Sequence, residues 1–378
     1  MSIKTTFRFY DNRQKYLLFV NTCSEKWETA KRIERELDHL NPKPPAIRLF
    51  DAGMGDGTVL ARVMRSMHRK FSNIPFYIVG KEISLEDVRL SLDKLPDRLY
   101  EHPATCFVAT NLYYFQAPWL SLRGKGNDAD INWIFMELDG EHSHEFAEQI
   151  TAAQKDIAKQ WQARTNAKTG NHAYEQPTVL VVYRKDQKFL LDGIIPKSGD
   201  MKADFDLVIA SQPYRARVPA SFKVKNVVAP LAKALAAGGR LIGIHSHGRD
   251  PGLEIIREIW PGEDPFHTDR FRIQDELRSL YPEIADGCHL VDHSHEQAIF
   301  EYEMHTLPDE ISEQPAGIGT STLLAAWNAA SYVAQIDDER LEEVIAEKRY
   351  LDATRDKLAE HNGLWFKNES YTFVKNAE

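Results

Sequence analysis

The order of elements along this chain predicts an α/β protein built on a doubly wound, mostly parallel sheet. Three observations carry that expectation. The apolar run 46–50 opens into a turn with glycine at 53, 55 and 57, and a helical pattern over 58–69 follows it. A second apolar run, 76–80, then ends in Lys81-Glu82. A strand, a glycine-rich turn, a helix and a strand closed by a carboxylate is the layout of a nucleotide-type site at the edge of such a sheet.

Residues 1–20 mix aromatic, aliphatic and charged side chains and are expected as a short strand or an arm. Thr22-Cys23-Ser24-Glu25 reads as a capping box opening a helix to Leu40, where Asn41-Pro42-Lys43-Pro44-Pro45 stops it. Strand one is expected over 46–51, a helix over 57–70 and strand two over 76–80. Ser84 is a good N-cap, with Glu86 and Asp87 in the first turn of the helix it opens. Strand three is read over 105–110, leading into Asn111.

The next clear strand is 205–210, and the residues between, 112–203, far exceed an ordinary connection. They are expected to form an insertion with structure of its own, a lid or a substrate wall. It holds an apolar run (131–138), a helix (145–164), a polar loop (165–176) and a hairpin-like pair (178–183 and 189–195) turning at Asp186-Gln187. The sheet pattern resumes with a helix over 222–237, a Gly238-Gly239 stop and a strand over 240–245. Segments 297–305 and 364–374 read as the last two strands, separated by a helical pair, 320–333 and 337–361. The organisation is therefore an N-terminal arm and helix (1–45), a first half-domain (46–111), the insertion (112–203), and a second half-domain (204–378) with a helical excursion at 308–360.

Composition bounds the function classes. The 378 residues are 43% hydrophobic and 27% charged, an ordinary globular balance, and the length exceeds the ~250 residues of a comfortable single core. No apolar stretch approaches the ~20 residues of a membrane span, and the first residues lack a signal-peptide core. Three scattered cysteines make no disulfide framework, so a reduced, cytoplasmic setting is expected. The net charge of −9 disfavours a general nucleic-acid binder, although Lys155–Lys225 carries 13 Lys/Arg against 7 Asp/Glu.

The glycine spacing narrows the ligand. A dinucleotide fingerprint needs a third glycine where this chain has Thr58 or Leu60. Asp51-x-Gly53-x-Gly55-x-Gly57 instead resembles motif I of the class I S-adenosylmethionine (SAM)-dependent methyltransferases, of the small-molecule type. Residues 204–211 resemble that family's fourth strand, and Ala232–Ile244 its following helix, Gly-Gly turn and fifth strand. The two terminal segments resemble its closing antiparallel hairpin. The likeness covers 46–111, 204–247 and 296–374 without the excursion. It implies a Rossmann-like, seven-stranded sheet with the last strand antiparallel, and SAM as cofactor.

It also implies site residues. Asp51 would serve the cofactor's ammonium, directly or through the turn formed by Gly53, Gly55 and Gly57. Glu82 would accept from the ribose diol, Asn111 would touch adenine, and Ser211 would end strand four beside the methyl group. Ser211-Gln212-Pro213-Tyr214 resembles the tetrapeptide of amino-methyltransferases acting on planar nitrogens, except that Gln212 replaces its first proline. The comparison with small-molecule enzymes of the histamine N-methyltransferase type fits better. Tyr214 would orient the acceptor or stack on a cation, and His245, at a strand end, would act as base near neutral pH. The acceptor is expected to be a small molecule, an amine among the candidates. A nucleic-acid or protein methyltransferase and a non-catalytic SAM-binding scaffold are the alternatives. The segments 142–144, 245–247 and 293–295 each read His-Ser-His; they are taken as exposed polar loops, with no metal in the site.

Overall fold

The computed structural model describes residues 13–165, 172–199, 202–305 and 317–377. Helices α1 (Arg13–Thr22) and α2 (Glu25–Glu34) lead into strand β1 (Ile47–Asp51), and α3 (Thr58–Lys70) into β2 (Phe76–Lys81). Helices α4 (Leu85–Leu92) and α5 (Leu95–Glu101) then precede β3 (Thr105–Thr110). These three strands pair in parallel in the spatial order β3-β2-β1. Every residue of β2 and β3 is buried, as strands covered by helices on both faces must be. The pleat sends alternate residues to opposite layers. Phe50, Val79, Val108 and Val208 enter one core, while Leu49, Ile78, Phe107 and Leu207 enter the other. Each such side chain contributes roughly 1.5–3 kcal/mol when fully buried.

On the other side of β1 lie β8 (Phe205–Ser211), then β9 (Leu235–Ser246), both parallel to it, and finally the antiparallel β12 (Trp365–Lys375). Strands β10 (Cys288–Leu290) and β11 (Ile299–Glu303) both pair with β12. This is the doubly wound, Rossmann-like arrangement the resemblance implied, with an antiparallel closing strand. It is wider than seven strands. The 112–203 segment adds β4 (Asn132–Leu138) and β7 (Thr178–Arg184) beyond β3, with a two-stranded ribbon, β5 (Ala163–Thr165) and β6 (His172–Tyr174), beside them. Helix α6 (Ser143–Gln160) crosses between β4 and β5.

Several local expectations change. Thr22 ends α1 rather than capping the next helix; its hydroxyl donates to Leu18 O, and Ser24 stands at the N-cap of α2 without a side-chain cap bond. The hairpin partner at 189–195 is a run of turns, because β7 finds better-buried partners in β3 and β4. The 222–237 helix is shorter and irregular. It runs from α7 (Ala220–Lys223) through a π-helical turn (Val224–Val228) into α8 (Ala229–Lys233), and β9 already begins at Leu235. Ser84 does cap α4, accepting from the Asp87 amide at 3.3 Å.

The helical excursion has a structural purpose. Helix α9 (Pro251–Ile259) precedes it, α10 (Arg270–Leu280), α11 (Pro282–Gly287) and α12 (His295–Ala298) follow in order, and α13 (Thr320–Val333), α14 (Asp338–Glu347) and α15 (Arg349–His361) make up its described part. The expected 337–361 helix is split at Lys348, whose φ of 60° is left-handed. Phe19 of α1 packs with Ile255, Trp327, Tyr332 and Phe366 in a third core. That cluster fixes α1 over the C-terminal ends of the parallel strands.

Candidate functional site

The glycine turn is held from below and from the side. Asp51 is buried, and its Oδ1 accepts from the Gly53 amide at 3.1 Å. Burial pushes its carboxyl up to about 7. Glu82, also buried, accepts from the amides of Ile83 (2.7 Å) and Ser84 (2.9 Å) through Oε1, and from Gly55 (3.1 Å) through Oε2. One carboxylate therefore joins the end of β2 to the turn after β1. Burial raises its pKa, while the adjacent Lys81 cation opposes that shift.

Gly55 (φ 54°) and Gly57 (φ 77°) occupy left-handed backbone conformations that L side chains rarely adopt. At Gly57 a Cβ would also lie 2.7 Å from Ser91 Oγ, a hydroxyl that donates to Gly55 O at 2.8 Å. Gly57 thus lets α4 lie against the turn. At Gly53 a Cβ would meet nothing within 4 Å, because that position faces open space.

The space is a cavity of about 580 Å³ at the C-terminal ends of β1, β2 and β8, the place where doubly wound sheets bind ligands. Gly53, Gly55, Glu82, Ser211 and Tyr214 line it. Helices α1 and α2 contribute Tyr16, Glu25 and Lys26; the 112–203 segment contributes Tyr113, Tyr114 and His172; the excursion contributes Tyr332. Four predicted residues stand off the wall, His245 among them. Asp51 and Gly57 support the turn from behind. Asn111 is spent on structure, donating to Gln176 O (2.9 Å) and accepting from the Thr178 amide (2.8 Å), so the structure does not bring its amide to the cavity.

The Ser211–Tyr214 loop explains its departure from the proline-rich tetrapeptide. Gln212 has φ 47°, which the proline ring forbids. Its side-chain amide donates to Ser246 Oγ (3.2 Å) and Asn368 Oδ1 (3.3 Å), bracing the loop against β9 and β12. The Tyr114 hydroxyl donates to Pro213 O at 2.9 Å, tying the 112–203 segment to the same loop.

Tyr214 and His245 are brought together. The tyrosine hydroxyl lies 2.9 Å from His245 Nδ1 and 3.1 Å from the Tyr371 hydroxyl. His245 Nε2 meets Glu369 Oε2 at 2.9 Å, and Glu369 also takes the backbone amide (2.8 Å) and guanidinium (2.6 Å) of Arg270. Although burial opposes it, the His245 and Arg270 partners hold the Glu369 carboxyl down to about 2. His245 is buried behind Tyr214 and reaches the cavity only through it, which corrects the expectation of a base facing the acceptor directly.

Sequence reasoning missed Lys81, Glu25, Lys26, Glu369 and Arg270. Lys81 is buried at the cavity wall with its ammonium 4.9 Å from the Tyr114 ring, and burial lowers its pKa. A usable trace of Glu369 was present: Lys367-Asn368-Glu369-Ser370 is a polar run inside the terminal strand, between Phe366 and Tyr371. Of the His-Ser-His segments, His142 caps α6 with Glu145 in a capping box, and the His247 and His295 rings lie 5.7 Å apart.

No protein-family model matches the chain, and no curated protein matches it. Solved structures matched by backbone include methyltransferases. Phosphoethanolamine N-methyltransferase 2 of Haemonchus contortus, in complex with SAM, is 10% identical with a TM-score of 0.31; the match covers 93% of this chain and 53% of that one. This chain thus spans about half the length of the Haemonchus enzyme. Geranyl diphosphate methyltransferase in complex with SAM is 11% identical, with a TM-score of 0.34 and coverage of 92% and 85%. The rRNA methyltransferase aviRa of Streptomyces viridochromogenes is 15% identical, with a TM-score of 0.25 and coverage of 57% and 72%. Overlaps this slight decide neither cofactor nor acceptor, which rest on the residues themselves.

Proposed function

We propose that this protein is a SAM-dependent methyltransferase acting on a small-molecule acceptor. The observation that carries the reading is the joint geometry of the Asp51–Gly57 turn and Glu82 at the mouth of one cavity. The residues present fit such a cofactor. Backbone amides and a Cβ-free wall at Gly53 suit a close-lying amino-acid tail, and Glu82 offers carboxylate oxygens where a ribose diol would donate. No phosphate-binding glycine pattern competes with this reading.

When bound, SAM supplies an electrophilic methyl group on sulfur. The chain's own task is alignment and exclusion of water. Asp51 shapes the turn by accepting from the Gly53 amide. Glu82 Oε2 accepts only from the Gly55 amide among the described residues, which leaves acceptor capacity on that oxygen for a ligand hydroxyl. Tyr214 forms the wall on the acceptor side, held in one orientation by His245, with Glu369 fixing the imidazole in turn.

A small acceptor fits the enclosure better than a polymer. Six of the thirteen cations of the basic segment pair with carboxylates among the described residues, Lys185 with Asp139, Lys188 with Glu137, Arg184 with Asp186 and Arg217 with Glu263 among them. Isothermal titration calorimetry with S-adenosylhomocysteine tests the cofactor assignment. Wild-type protein is expected to bind, and Gly55→Val, whose side chain would crowd the Tyr16 hydroxyl, is expected to lose binding. Equal affinity in the two proteins would reject the glycine-turn site.

A further inference from the structure

One carboxylate in the cavity has no assigned work. Glu25, in the first turn of α2, is only 4% exposed yet lines the cavity, and it accepts no hydrogen bond from any described residue. Among the described residues the one cation within 4 Å of it is Lys26, whose ammonium stands 3.6 Å from Oε2, an ion pair beyond hydrogen-bond distance. Lys26 itself leans on the Tyr16 ring at 5.6 Å. A buried carboxylate without donors is costly, because the hydration it has lost is not replaced.

The backbone around Glu25 is fixed. The preceding Ser24 amide donates to Glu303 O (2.8 Å), and the His305 amide donates to Thr22 O (2.7 Å), so the α1–α2 junction is stitched to the end of β11. Aromatic rings share the cavity wall with the carboxylate. Phe19 lies 5.0 Å from Tyr332 and 6.1 Å from Tyr302, centroid to centroid, and Tyr16 lies 6.2 Å from Tyr332. All four residues line the same cavity. Burial first, and the Glu25 charge among lesser causes, raises the pKa of Tyr16, Tyr302 and Tyr332, which places the carboxylate within electrostatic reach of all three.

We propose that Glu25 with Tyr16, Phe19, Tyr302 and Tyr332 forms the acceptor subsite, and that it takes a small organic ammonium ion with an apolar body. The inference rests on the methyltransferase reading for its chemistry. Aromatic faces attract a cation and solvate its hydrocarbon part, while the carboxylate supplies the counter-charge. Transfer needs the free amine, so the bound ammonium first loses its proton to water. The nitrogen lone pair then forms the new N–C bond as the C–S bond breaks, and that electron pair stays on sulfur. The product is again a cation, which Glu25 holds until release.

Calorimetry on protein saturated with S-adenosylhomocysteine tests this with two probes of one shape, 2-phenylethylamine and 2-phenylethanol. Wild-type protein is expected to bind the amine at least about tenfold more tightly than the alcohol. Glu25→Gln is expected to erase that preference and to leave S-adenosylhomocysteine affinity unchanged. Equal binding of the two probes by wild-type protein overturns the subsite without needing any variant. Loss of S-adenosylhomocysteine binding in Glu25→Gln also overturns it, by assigning Glu25 to the cofactor's tail. Failure of wild-type protein to bind S-adenosylhomocysteine at all removes the methyltransferase reading itself, a separate result.

Discussion

The Tyr214 hydroxyl and His245 Nδ1 stand 2.9 Å apart, and the opposite nitrogen of the same imidazole meets Glu369 at an equal distance. Tyr214 belongs to the loop after β8, His245 to β9 and Glu369 to β12, so three segments far apart in sequence meet in one buried chain ending on Arg270. Its outer member is the tyrosine on the cavity wall.

That chain makes stability acid-sensitive. The Glu369 carboxyl lies at about 2, below its ordinary 4.5. Its contribution is therefore complete above about pH 4.5 and disappears as pH falls towards 2, a change of about 3 kcal/mol. Urea unfolding of wild type and Glu369→Gln across pH 2–7 is expected to show a stability gap at neutral pH that closes over this window. A gap independent of pH would refute the charged role of Glu369.

Asp51 behaves in the opposite sense. Burial raises its carboxyl from 3.8 to about 7, so the folded state is favoured at low pH and loses that advantage as pH rises through 7. Asp51→Asn keeps an acceptor for the Gly53 amide and removes the buried charge. At pH 8 it is expected to be more stable than wild type by up to about 4 kcal/mol, yet to bind S-adenosylhomocysteine at least about tenfold more weakly. Chemical denaturation and calorimetry on the same preparations check both halves.

Gly57→Val introduces a branched side chain at φ 77° and against Ser91. A loss of about 1–3 kcal/mol is expected from the backbone alone, with a further cost from the clash. Thermal unfolding of the ligand-free protein measures it. Wild-type stability would show that α4 shifts freely away from the turn.

Nucleic-acid affinity is expected to be weak and nonspecific. With a net charge of −9 and six of the thirteen cations of the basic segment paired with carboxylates, filter binding of single-stranded RNA over a salt series should stay near background throughout. A steep fall of a strong signal with rising salt would instead favour a polymeric acceptor.

Short-range chemistry made much of the framework legible. Apolar runs, the glycine turn, Glu82 after strand two, and the Ser84 cap each depend on neighbours within a few residues, and each lies where the sequence pattern placed it. The 112–203 segment was harder, because whether an apolar strand joins a sheet edge or pairs with its neighbour depends on which partner offers more burial. Strand β7 found β3 and β4, and 189–195 was left as turns. Asn111 shows the same limit at one residue: its position after β3 was right, but two backbone groups of 176 and 178 claimed its amide.

The sequence by itself determined the doubly wound sheet and the turn that meets a ligand, because both follow from local periodicity and from glycine's access to left-handed backbone. Only the tertiary structure decided what faces that turn. Glu25, Lys81 and Tyr214 on the cavity wall, with His245 and Glu369 behind the tyrosine, are scattered along more than three hundred positions, and it is the packing of α1, the excursion helices and β12 that gathers them around one site. Proximity across such separations is set by how layers bury their apolar faces, a property of the whole chain that no local pattern encodes.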